Sequence, residues 1–509
     1  MAKEKETTTA EATEAKNLDW LLNSINVEAS AVPKDEVDIT ALTETSNVYQ
    51  QDEARVLGGL NLLFANYQDD EEVKGFNKAM TQSLIDKIDC MINNQVNEII
   101  KNPKFRQVES QWLGVFDLVD NTNFNANIQI DLLDVSKDDL GVDFECNSVD
   151  ITGSELFKKV YFHEYDQFGG NPYASMVGLY EFENNSEDLN FLSTAGKIST
   201  ACHAPFIATA APKFFGLDDI KELPTIKDLD GMMKHPRYRR WNKLRDSEQA
   251  AYLGLTLPHY MVREPWDPDN NPAAKTLRNF KEEVNPLDDS NYVWTDASVL
   301  FARNLTKSFE KAGWCQYIRG PKGGGMIEGL PAHVFNVRGK EEMKPPVECV
   351  LPDNKELSLA KAGFIPLIYE KNSTNACFFS TQSVKAAKEF KSKTDTENSQ
   401  LVTNLAYTYS ICRIAHYIKE VGRLNIGSSA NEEYLSKILN EWISQYVTEV
   451  VNPSPTTVAF YPFKKAKIEV EKVPGQIGWY KCNFTVLPHI QLEGLDVSLS
   501  MNTLLDSGG

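Results

Sequence analysis

The stretch GWCQYIRGPKGGGMIEGLPAH, which begins at Gly313, has the glycine density of a loop that could hold a phosphate group. It contains six glycines together with an arginine and a lysine. Gly320 and Gly325 reproduce the first part of the pattern G-x-x-x-x-G-K-[ST], whose lysine and hydroxyl contact the phosphates and magnesium. Here Met326 and Ile327 stand at those two positions. The side chains that would perform nucleotide chemistry are therefore missing.

The same loop can also be interpreted as purely structural. Gly323, Gly324 and Gly325 suit a backbone that takes positive φ angles or passes very close to other atoms, because glycine has no Cβ. We therefore predict a tightly packed structural turn at these glycines, either in the body of the protein or at a subunit interface. A nucleotide-dependent enzyme that uses the loop at 319–329 is kept as the alternative function.

Other residue combinations do not complete a reactive site. Cys412 and His416 are four residues apart in a helical segment, but two ligands are too few for a metal, and we interpret them as a buried structural pair. His163, His203 and His489 lack the neighbouring partners that activate a nucleophile. The sequence has no G-x-S-x-G and no H-E-x-x-H pattern. It predicts no catalytic residue, no metal site and no cofactor.

The composition is that of an ordinary globular protein with an excess of acidic residues. The chain has 509 residues and a formal net charge of -20, and its isoelectric point is about 4.9. This charge disfavours nucleic acid and anionic membranes, which are bound by clusters of basic side chains. We find no membrane span and no secretion signal, and eight cysteines lie scattered without a C-x-x-C pair. We expect a cytoplasmic protein with reduced thiols and no membrane insertion.

The N-terminal residues 1–50 are predicted to be a flexible segment with one short amphipathic helix. Its apolar side chains recur at helical spacing and lie on one face; they are Leu18, Leu21, Leu22 and Ile25. Such a helix can dock on the body of its own chain, or a partner can bind it in a groove.

The rest of the chain is predicted to be a mixed α/β protein. Helical periodicity extends over 52–101, whereas NIQIDLLDV from Asn127, VYF from Val160 and MVGLYEF at 176–182 are typical of strands. The region 217–286 is rich in charge, proline and asparagine, and we predict a polar surface insertion there. We divide the chain into a body at 51–370 and a C-terminal domain at 371–509.

The C-terminal domain is predicted to contain two helices followed by a β-meander. The helices lie at 401–422 and 431–447, and AKIEVEKV, WYKCNFTVL and HIQLEGLDVSLSM then alternate with period two. A strand this regular is either the edge of its own sheet or an arm that pairs with another subunit. The apolar positions of the meander are Ile468, Val470, Ile490, Leu492, Leu495, Val497 and Leu499.

Five blocks of the sequence together resemble one protein family. NPKFRQVESQWLGV at 102–115 is similar to the H-P-x-F-R-x-L-E-S-x-W-R-G-L signature of the large sheath subunit of bacterial type VI secretion systems. Four further blocks follow in the family's order: EYDQFGGNPYASMVGLYEF, GWCQYIRGPKGGGMIEGLPAH, GFIPLIYEKNSTNACFF and LPHIQLEGLDVSL. The resemblance extends over residues 55–500 and is greatest to the intracellular growth locus protein B branch. Asn102 and Leu113 replace the histidine and arginine common in the family.

This resemblance implies a structural protein rather than an enzyme. In the family, a large and a small sheath subunit form a heterodimer, and heterodimers assemble into a helical polymer around an inner tube. Contraction of the sheath propels the inner tube for effector delivery, which serves virulence. The implied partners are the small sheath subunit, other copies of the chain, the inner-tube protein, a baseplate that anchors the sheath to the cell envelope, and an AAA+ unfoldase for recycling.

The resemblance also implies roles for three segments. The C-terminal meander corresponds to strands that the family exchanges between subunits, so its apolar residues are the candidates for strand exchange. The N-terminal helix with Leu18, Leu21, Leu22 and Ile25 corresponds to the handle that the unfoldase recognises. We assign contact with the inner tube to the helix at 431–447.

Overall fold

A computed structural model describes residues 58–62, 65, 78–273, 277, 279–388, 390–425, 432–451, 453–472 and 480–489. From Lys78 onward, its helices are α1 (Lys78–Lys101), α2 (Pro103–Asp120), α3 (Lys137–Cys146), α4 (Glu155–Phe157, continued by a π-helix at Lys158–Tyr165), α5 (Ser186–Cys202), α6 (Leu229–Met233), α7 (Arg239–Arg245), α8 (Ala297–Ala312), α9 (Asp353–Lys361), α10 (Lys393–Val402), α11 (Leu405–Leu424), α12 (Glu432–Ser444) and α13 (Pro455–Phe460). No helix in the described part of the chain is long and apolar enough to cross a membrane.

The strands are β1 (Met176–Phe182), β2 (Phe206–Ala210), β3 (Leu253–Leu257), β4 (Tyr260–Met261), β5 (Trp294–Thr295), β6 (Met326–Ile327), β7 (Val334–Val337), β8 (Lys340–Met343), β9 (Ile365–Tyr369), β10 (Ala376–Phe378), β11 (Phe463–Lys472) and β12 (Tyr480–Pro488). Together with the helices, they make a mixed α/β protein, as the sequence predicted. Contacts between residues divide the chain into two compact units. The first unit consists of the described residues up to Arg106 together with those of Pro265–Val284. The second unit consists of Gln107–Glu264 together with the described residues from Asn285 onward.

In the first unit, a buried asparagine joins helix α1 to the distant segment Pro265–Val284. The side-chain amide of Asn97 donates to the Lys281 carbonyl over 3.1 Å and accepts from the Glu283 amide over 2.9 Å. Because both ends of this buried side chain are hydrogen-bonded, it costs little to desolvate and it fixes the position of the segment along the helix.

A six-stranded sheet with the order β1-β2-β3-β9-β10-β6 forms the centre of the second unit. β1, β2, β3 and β9 run parallel, while β10 and β6 are antiparallel to their neighbours. Parallel strands with both faces covered are apolar along their whole length rather than on alternate residues. FIATA in β2 and LGLTL in β3 fit this pattern, and each residue of these two strands is buried.

Helices cover both faces of this sheet and create two apolar cores. On one face, Ala208 of β2 belongs to the core that includes Phe191 of α5 and Trp241 of α7. On the other face, Ile207 belongs to the core that includes Phe301 of α8 and Tyr409 of α11. Successive side chains of one strand therefore point into different cores, as the period of two requires.

The prediction of a polar surface insertion at 217–286 was wrong for the part that contains β3. Leu253, Leu255 and Leu257 have no exposed surface, and β3 lies between β2 and β9 in the sheet. The error has a simple cause, since a five-residue apolar strand is flanked by charged and proline-rich segments that dominate the local composition. The boundary between 370 and 371 was also misplaced, because β9 and β10 pair across it as a hairpin.

Two further strand predictions were wrong. The stretch from Asn127 to Val135 pairs with no strand in the described structure, and the Tyr180 hydroxyl holds it by donating to the Val135 carbonyl over 2.7 Å. The VYF sequence from Val160 lies in the π-helix that follows α4. There, Phe157 and Tyr161 stack with ring centroids 4.8 Å apart, which is the contact that helical spacing of four residues creates.

Candidate functional site

The glycine-rich loop forms a compact turn held by its own backbone. The Gly325 amide donates to the Gly320 carbonyl over 2.9 Å, and the Gly323 amide donates to the same carbonyl over 3.2 Å. The Gly320 amide donates to the Phe378 carbonyl of β10 over 2.7 Å. A phosphate cradle needs such amides to point toward a ligand, but these three already have carbonyl partners. The loop therefore gives no support to the nucleotide-dependent alternative.

Close backbone contacts explain why the three successive positions hold glycine. A Cβ atom at Gly323 would meet the Arg319 carbonyl, and one at Gly325 would come within 2.6 Å of the Gly320 amide nitrogen. At Gly324 the φ angle is 86°, and a Cβ atom would meet the Tyr317 carbonyl. The turn lies in the body of the second unit, where β6 continues from it into the sheet.

Helix α2 directs two of its three acidic side chains, Glu109 and Asp117, toward the body of the second unit. The Arg263 guanidinium donates to the Glu109 carboxylate over 2.7 Å, and both side chains are largely buried. About two turns further on, the Asp117 carboxylate accepts from the Tyr260 hydroxyl over 3.0 Å and from Arg303 over 3.2 Å. These charge-assisted bonds fix the rotation of the helix about its own axis.

The opposite side of α2 is apolar and faces outward. Its large side chains recur at spacings of four, four and three residues, which places them on one stripe. We call this set the outer stripe; it consists of Val108 (54% exposed), Trp112 (65%), Phe116 (64%) and Val119 (38%). The usual arrangement of a surface helix is reversed here, because acids face inward and aromatic rings face outward. Such a surface is typical of a helix that another chain covers.

The C-terminal hairpin formed by β11 and β12 packs on helix α12. The two strands are antiparallel, with Ile468 opposite Phe484. Ile468 is completely buried in a core that includes Leu439 and Ile443 of α12. Val470, the other predicted strand-exchange residue that the structure describes, is partly buried against the same core. The side chains of both residues therefore stabilise their own domain.

The outer edge of β11 is already hydrogen-bonded to α12. The Ile468 amide donates to the Asn440 side chain over 2.9 Å, and the Ile468 carbonyl accepts from the same side chain over 2.7 Å. The amide and the carbonyl of Ile468 point away from β12, so Ile468 and Phe484 form a non-hydrogen-bonded pair of the antiparallel ladder. The amide and the carbonyl of Phe484 therefore point away from β11. No backbone hydrogen bond to that edge of β12 is found among the residues that the structure describes.

The remaining residues predicted for partner contacts lie outside the described part of the chain. For strand exchange these are Ile490, Leu492, Leu495, Val497 and Leu499, and for the unfoldase they are Leu18, Leu21, Leu22 and Ile25. The helix at 431–447 was predicted to contact the inner tube, and its apolar face is turned toward β11, with Leu435, Leu439 and Ile443 buried.

Cys412 and His416 occupy a structural environment on α11. Cys412 is buried, and Nε2 of His416 lies 2.9 Å from the Cys202 carbonyl. Burial raises the pKa of the Cys412 thiol far above its ordinary value and lowers the pKa of His416. Both groups are therefore held in their uncharged forms.

A cluster that the sequence did not predict surrounds His259, between β3 and β4. Its Nδ1 lies 2.7 Å from Glu348, and its Nε2 lies 3.2 Å from Glu181 and 3.6 Å from Asp296. Burial by itself would lower the pKa of His259, but the carboxylates of Asp296, Glu181 and Glu348 outweigh it and raise that pKa well above its ordinary value. No short spacing in the sequence could have indicated this cluster, because its members come from four separate segments.

Comparison with solved structures finds components of contractile particles. The baseplate of the anti-feeding prophage matches with a TM-score of 0.36 and 9% identity, covering 74% of this chain and 84% of the other. The contracted helical sheath of the anti-feeding prophage matches with a TM-score of 0.30 and 8% identity, covering 62% of this chain and 67% of the other.

Comparison of sequences identifies the family. The model of the EvpB/VC_A0108 tail sheath N-terminal domain matches residues 82–385, and the model of the EvpB/VC_A0108 tail sheath gpW/gp25-like domain matches residues 394–505. The type VI secretion system sheath protein TssC1 of Pseudomonas aeruginosa is 38% identical over 429 residues, which cover 84% of this chain and 86% of the relative. The chain therefore belongs to the VipB family of type VI secretion sheath proteins.

Proposed function

We propose that this chain is the large subunit of a contractile type VI secretion sheath, which pairs with a small sheath subunit and polymerises around an inner tube. Contraction of the polymer propels the inner tube and delivers effectors. The sheath works in the bacterial cytoplasm and is anchored through a baseplate to the cell envelope. The observation that carries the proposal is the outer stripe of α2, in a chain that belongs to a sheath family.

The inward side of α2 explains why the outer stripe needs another chain. The helix cannot rotate its aromatic rings into its own body, because rotation would break the buried ion pairs of Glu109 and Asp117. Burial of a large apolar side chain contributes about 1.5–3 kcal/mol. A partner helix that covers Trp112 and Phe116 would gain that energy from each ring. We assign this position to the small sheath subunit.

Substitution of the outer stripe tests the pairing. We expect Val108→Asp combined with Trp112→Asp to abolish co-purification with the small sheath subunit, because two carboxylates would be desolvated in the interface. Val149→Asp is a matched control, since Val149 is 99% exposed and lies outside α2. Co-purification from cells that express both subunits is the measurement.

Electron microscopy of the same preparations separates the two candidate functions. The parent chain and the Val149→Asp control should form tubes with helical striations when the small subunit is present. Retention of pairing in the α2 variant would contradict the assignment of the outer stripe. A monomeric chain that hydrolyses ATP and forms no tubes would instead favour a nucleotide-dependent enzyme.

The geometry of the hairpin supports strand exchange at β12 rather than at β11. The β11 edge is hydrogen-bonded to Asn440, whereas the Phe484 backbone groups point outward. A strand from a neighbouring subunit would add to this edge through main-chain hydrogen bonds, which persist when rigid bodies rotate. We propose that residues 490–499 of another copy supply that strand.

We propose two further partner contacts, one for helix α12 and one for the N-terminal segment. For the inner tube, we assign the solvent-facing residues of α12, among them Tyr434 and Lys437, because its apolar face packs on β11. Lys437→Glu should weaken sheath formation on preassembled inner tubes without affecting heterodimers.

For recycling, we assign the segment with Leu21 and Leu22 to an AAA+ unfoldase. Leu21→Asp with Leu22→Asp should preserve assembly and slow unfoldase-driven disassembly.

Within the family, we propose the intracellular growth locus protein B branch. Asn102 and Leu113 support it, because they depart from the signature that is common in the family. A chain of this branch should form sheaths with the small subunit of that branch. Sheaths formed only with the small partner of a TssC1 protein would contradict the assignment.

A further inference from the structure

The donor atoms around Nε2 of His259 have the spacing of metal ligands. Nε2 lies 3.2 Å from Oε1 of Glu181 and 3.6 Å from Oδ1 of Asp296, and the donor atoms of these three residues all lie within 4.8 Å of one another. A tetrahedral zinc ion has bonds of about 2.0–2.1 Å to nitrogen and oxygen, which separates neighbouring ligands by about 3.3 Å. Both measured distances from Nε2 are close to this value.

The carboxylate of Asp296 provides an independent observation. Asp296 is the N-cap residue of α8, but its side chain makes no capping hydrogen bond. Its Oδ1 atom is buried without a hydrogen-bond partner in the described structure, and the whole residue is only 8% exposed. Its neighbour of opposite charge is Nε2 of His259 at 3.6 Å, which is too long for a hydrogen bond, so a directly bound cation would compensate this buried oxygen better. This oxygen faces His259 rather than the helix amides.

The opposite nitrogen of His259 has the partner that metal-binding histidines usually have. Nδ1 lies 2.7 Å from the Glu348 carboxylate. A carboxylate that accepts from the distal ring nitrogen fixes the tautomer and makes the other nitrogen a stronger ligand. The Glu181 side chain is 51% exposed, so the cluster is also accessible to an ion from solution.

We propose that Glu181, His259 and Asp296 bind one divalent transition-metal ion of the zinc class, which displaces the proton from Nε2 of His259, with Glu348 orienting the histidine. A divalent ion would balance more of the negative charge of the three carboxylates than a single imidazolium does. The ligands come from β1, the β3–β4 connection and the start of α8. The ion would therefore join three elements of the second unit and have a structural role.

Zinc titration of the full-length chain tests this site. The exposed thiols of Cys90 and Cys146 can bind zinc themselves, so the parent for the experiment carries Cys90→Ser and Cys146→Ser. Isothermal titration calorimetry with Zn²⁺ should show one stoichiometric site. Co²⁺ should give the intense visible absorption of a tetrahedral complex, and either metal should raise the melting temperature.

Matched substitutions locate the site. Glu181→Gln should weaken zinc binding at least tenfold, whereas Glu183→Gln, the same change two residues away, should leave the affinity unchanged. Glu181 is half exposed, so its variant should fold normally. His259→Gln should abolish the cobalt absorption, and Glu348→Gln should weaken binding by about 10–100-fold.

Two results would overturn the proposal. One is a parent chain that shows no stoichiometric zinc site. The other is a Glu181→Gln chain that binds zinc with the affinity of the parent and the same cobalt spectrum.

Discussion

Two separate constraints require glycine at position 324. The backbone has a φ angle of 86°, and the Tyr317 carbonyl occupies the space that a side chain would need. Gly329 provides a comparison, because its φ angle is 72° and no atom lies within 4 Å of its missing Cβ. Any side chain is strained by the backbone at both positions, but only at Gly324 does it also collide.

We therefore expect Gly324→Val to destabilise the chain more than Gly329→Val does. Left-handed backbone strain costs about 1–3 kcal/mol for a residue other than glycine. The Gly324→Val chain should lose more stability than this, because its turn must also move away from the Tyr317 carbonyl. Urea denaturation of the two variants measures the difference. Equal losses of stability would show that the contact with Tyr317 is unimportant.

His203 ends helix α5 and is kept uncharged by its surroundings. Burial, together with the nearby His416 and Lys419, lowers the pKa of His203 from 6.5 to about 4. Between about pH 4 and pH 6.5, His203 therefore carries a proton in the unfolded chain but not in the folded chain. The free energy of unfolding should fall as the pH decreases from about 6.5 to about 4.

Replacement of His203 should make that pH dependence shallower. Asparagine is the suitable replacement, because His203 has a φ angle of 53° and asparagine tolerates left-handed backbone. Urea denaturation of the parent and of the His203→Asn chain on both sides of this pH window is the measurement, and equal slopes in the two chains would contradict the assignment.

Residue types could be predicted from the sequence only where their effect is local. Three successive glycines indicated a backbone constraint, and Met326 and Ile327 disfavoured a phosphate site. The cluster around His259 could not be predicted, since Glu181 and Glu348 approach it only after the parallel sheet has formed.

At the scale of elements, Asn440 joins α12 to β11 by side-chain hydrogen bonds. Its side chain bonds both the amide and the carbonyl of Ile468, so it replaces a neighbouring strand at that position. Ser436 also donates to the Ile468 carbonyl, over 3.2 Å. The amide of Ile468 depends on Asn440, whereas its carbonyl has two donors.

Asn440→Ala should therefore destabilise the C-terminal domain by about 1–3 kcal/mol, the cost of a buried amide left without a partner. Exchange of the Ile468 amide hydrogen should become faster. Ser436→Ala should have a much smaller effect, because Asn440 still donates to the carbonyl. Hydrogen exchange read out by mass spectrometry measures both, and an unchanged exchange rate in Asn440→Ala would contradict the role of this side chain.

Elements with a long or regular pattern were predicted well. The helices predicted at 401–422 and 431–447 and the hairpin of β11 and β12 match their periodicity. The stretch from Asn127 was mispredicted because alternation describes a side-chain pattern, whereas a strand also needs a partner strand. β3 was missed because its burial is decided by β2 and β9, which are distant in sequence.

At the scale of the whole molecule, polymerisation and pairing should be separable. Leu495→Asp with Val497→Asp should stop sheath polymerisation and leave heterodimers largely intact, because we assign these residues to an arm that joins successive subunits. Ser498→Asp is the control, since alternation puts it on the other face of the strand. Electron microscopy measures the tubes and size-exclusion chromatography the heterodimers. Loss of the heterodimer as well would assign the meander to the pairing interface.

The reversed polarity of α2 has a consequence for how cells must make this protein. A copy whose outer stripe is uncovered presents the rings of Trp112 and Phe116 to every other newly made copy, and such apolar patches promote aggregation. On the proposed pairing, balanced synthesis of the two subunits would keep this stripe covered. Expression of this chain alone should leave a smaller share of it in the supernatant, and supplying the small subunit in equal amount should raise that share. The stripe that we assign to the pairing interface therefore also makes every uncovered copy prone to aggregation.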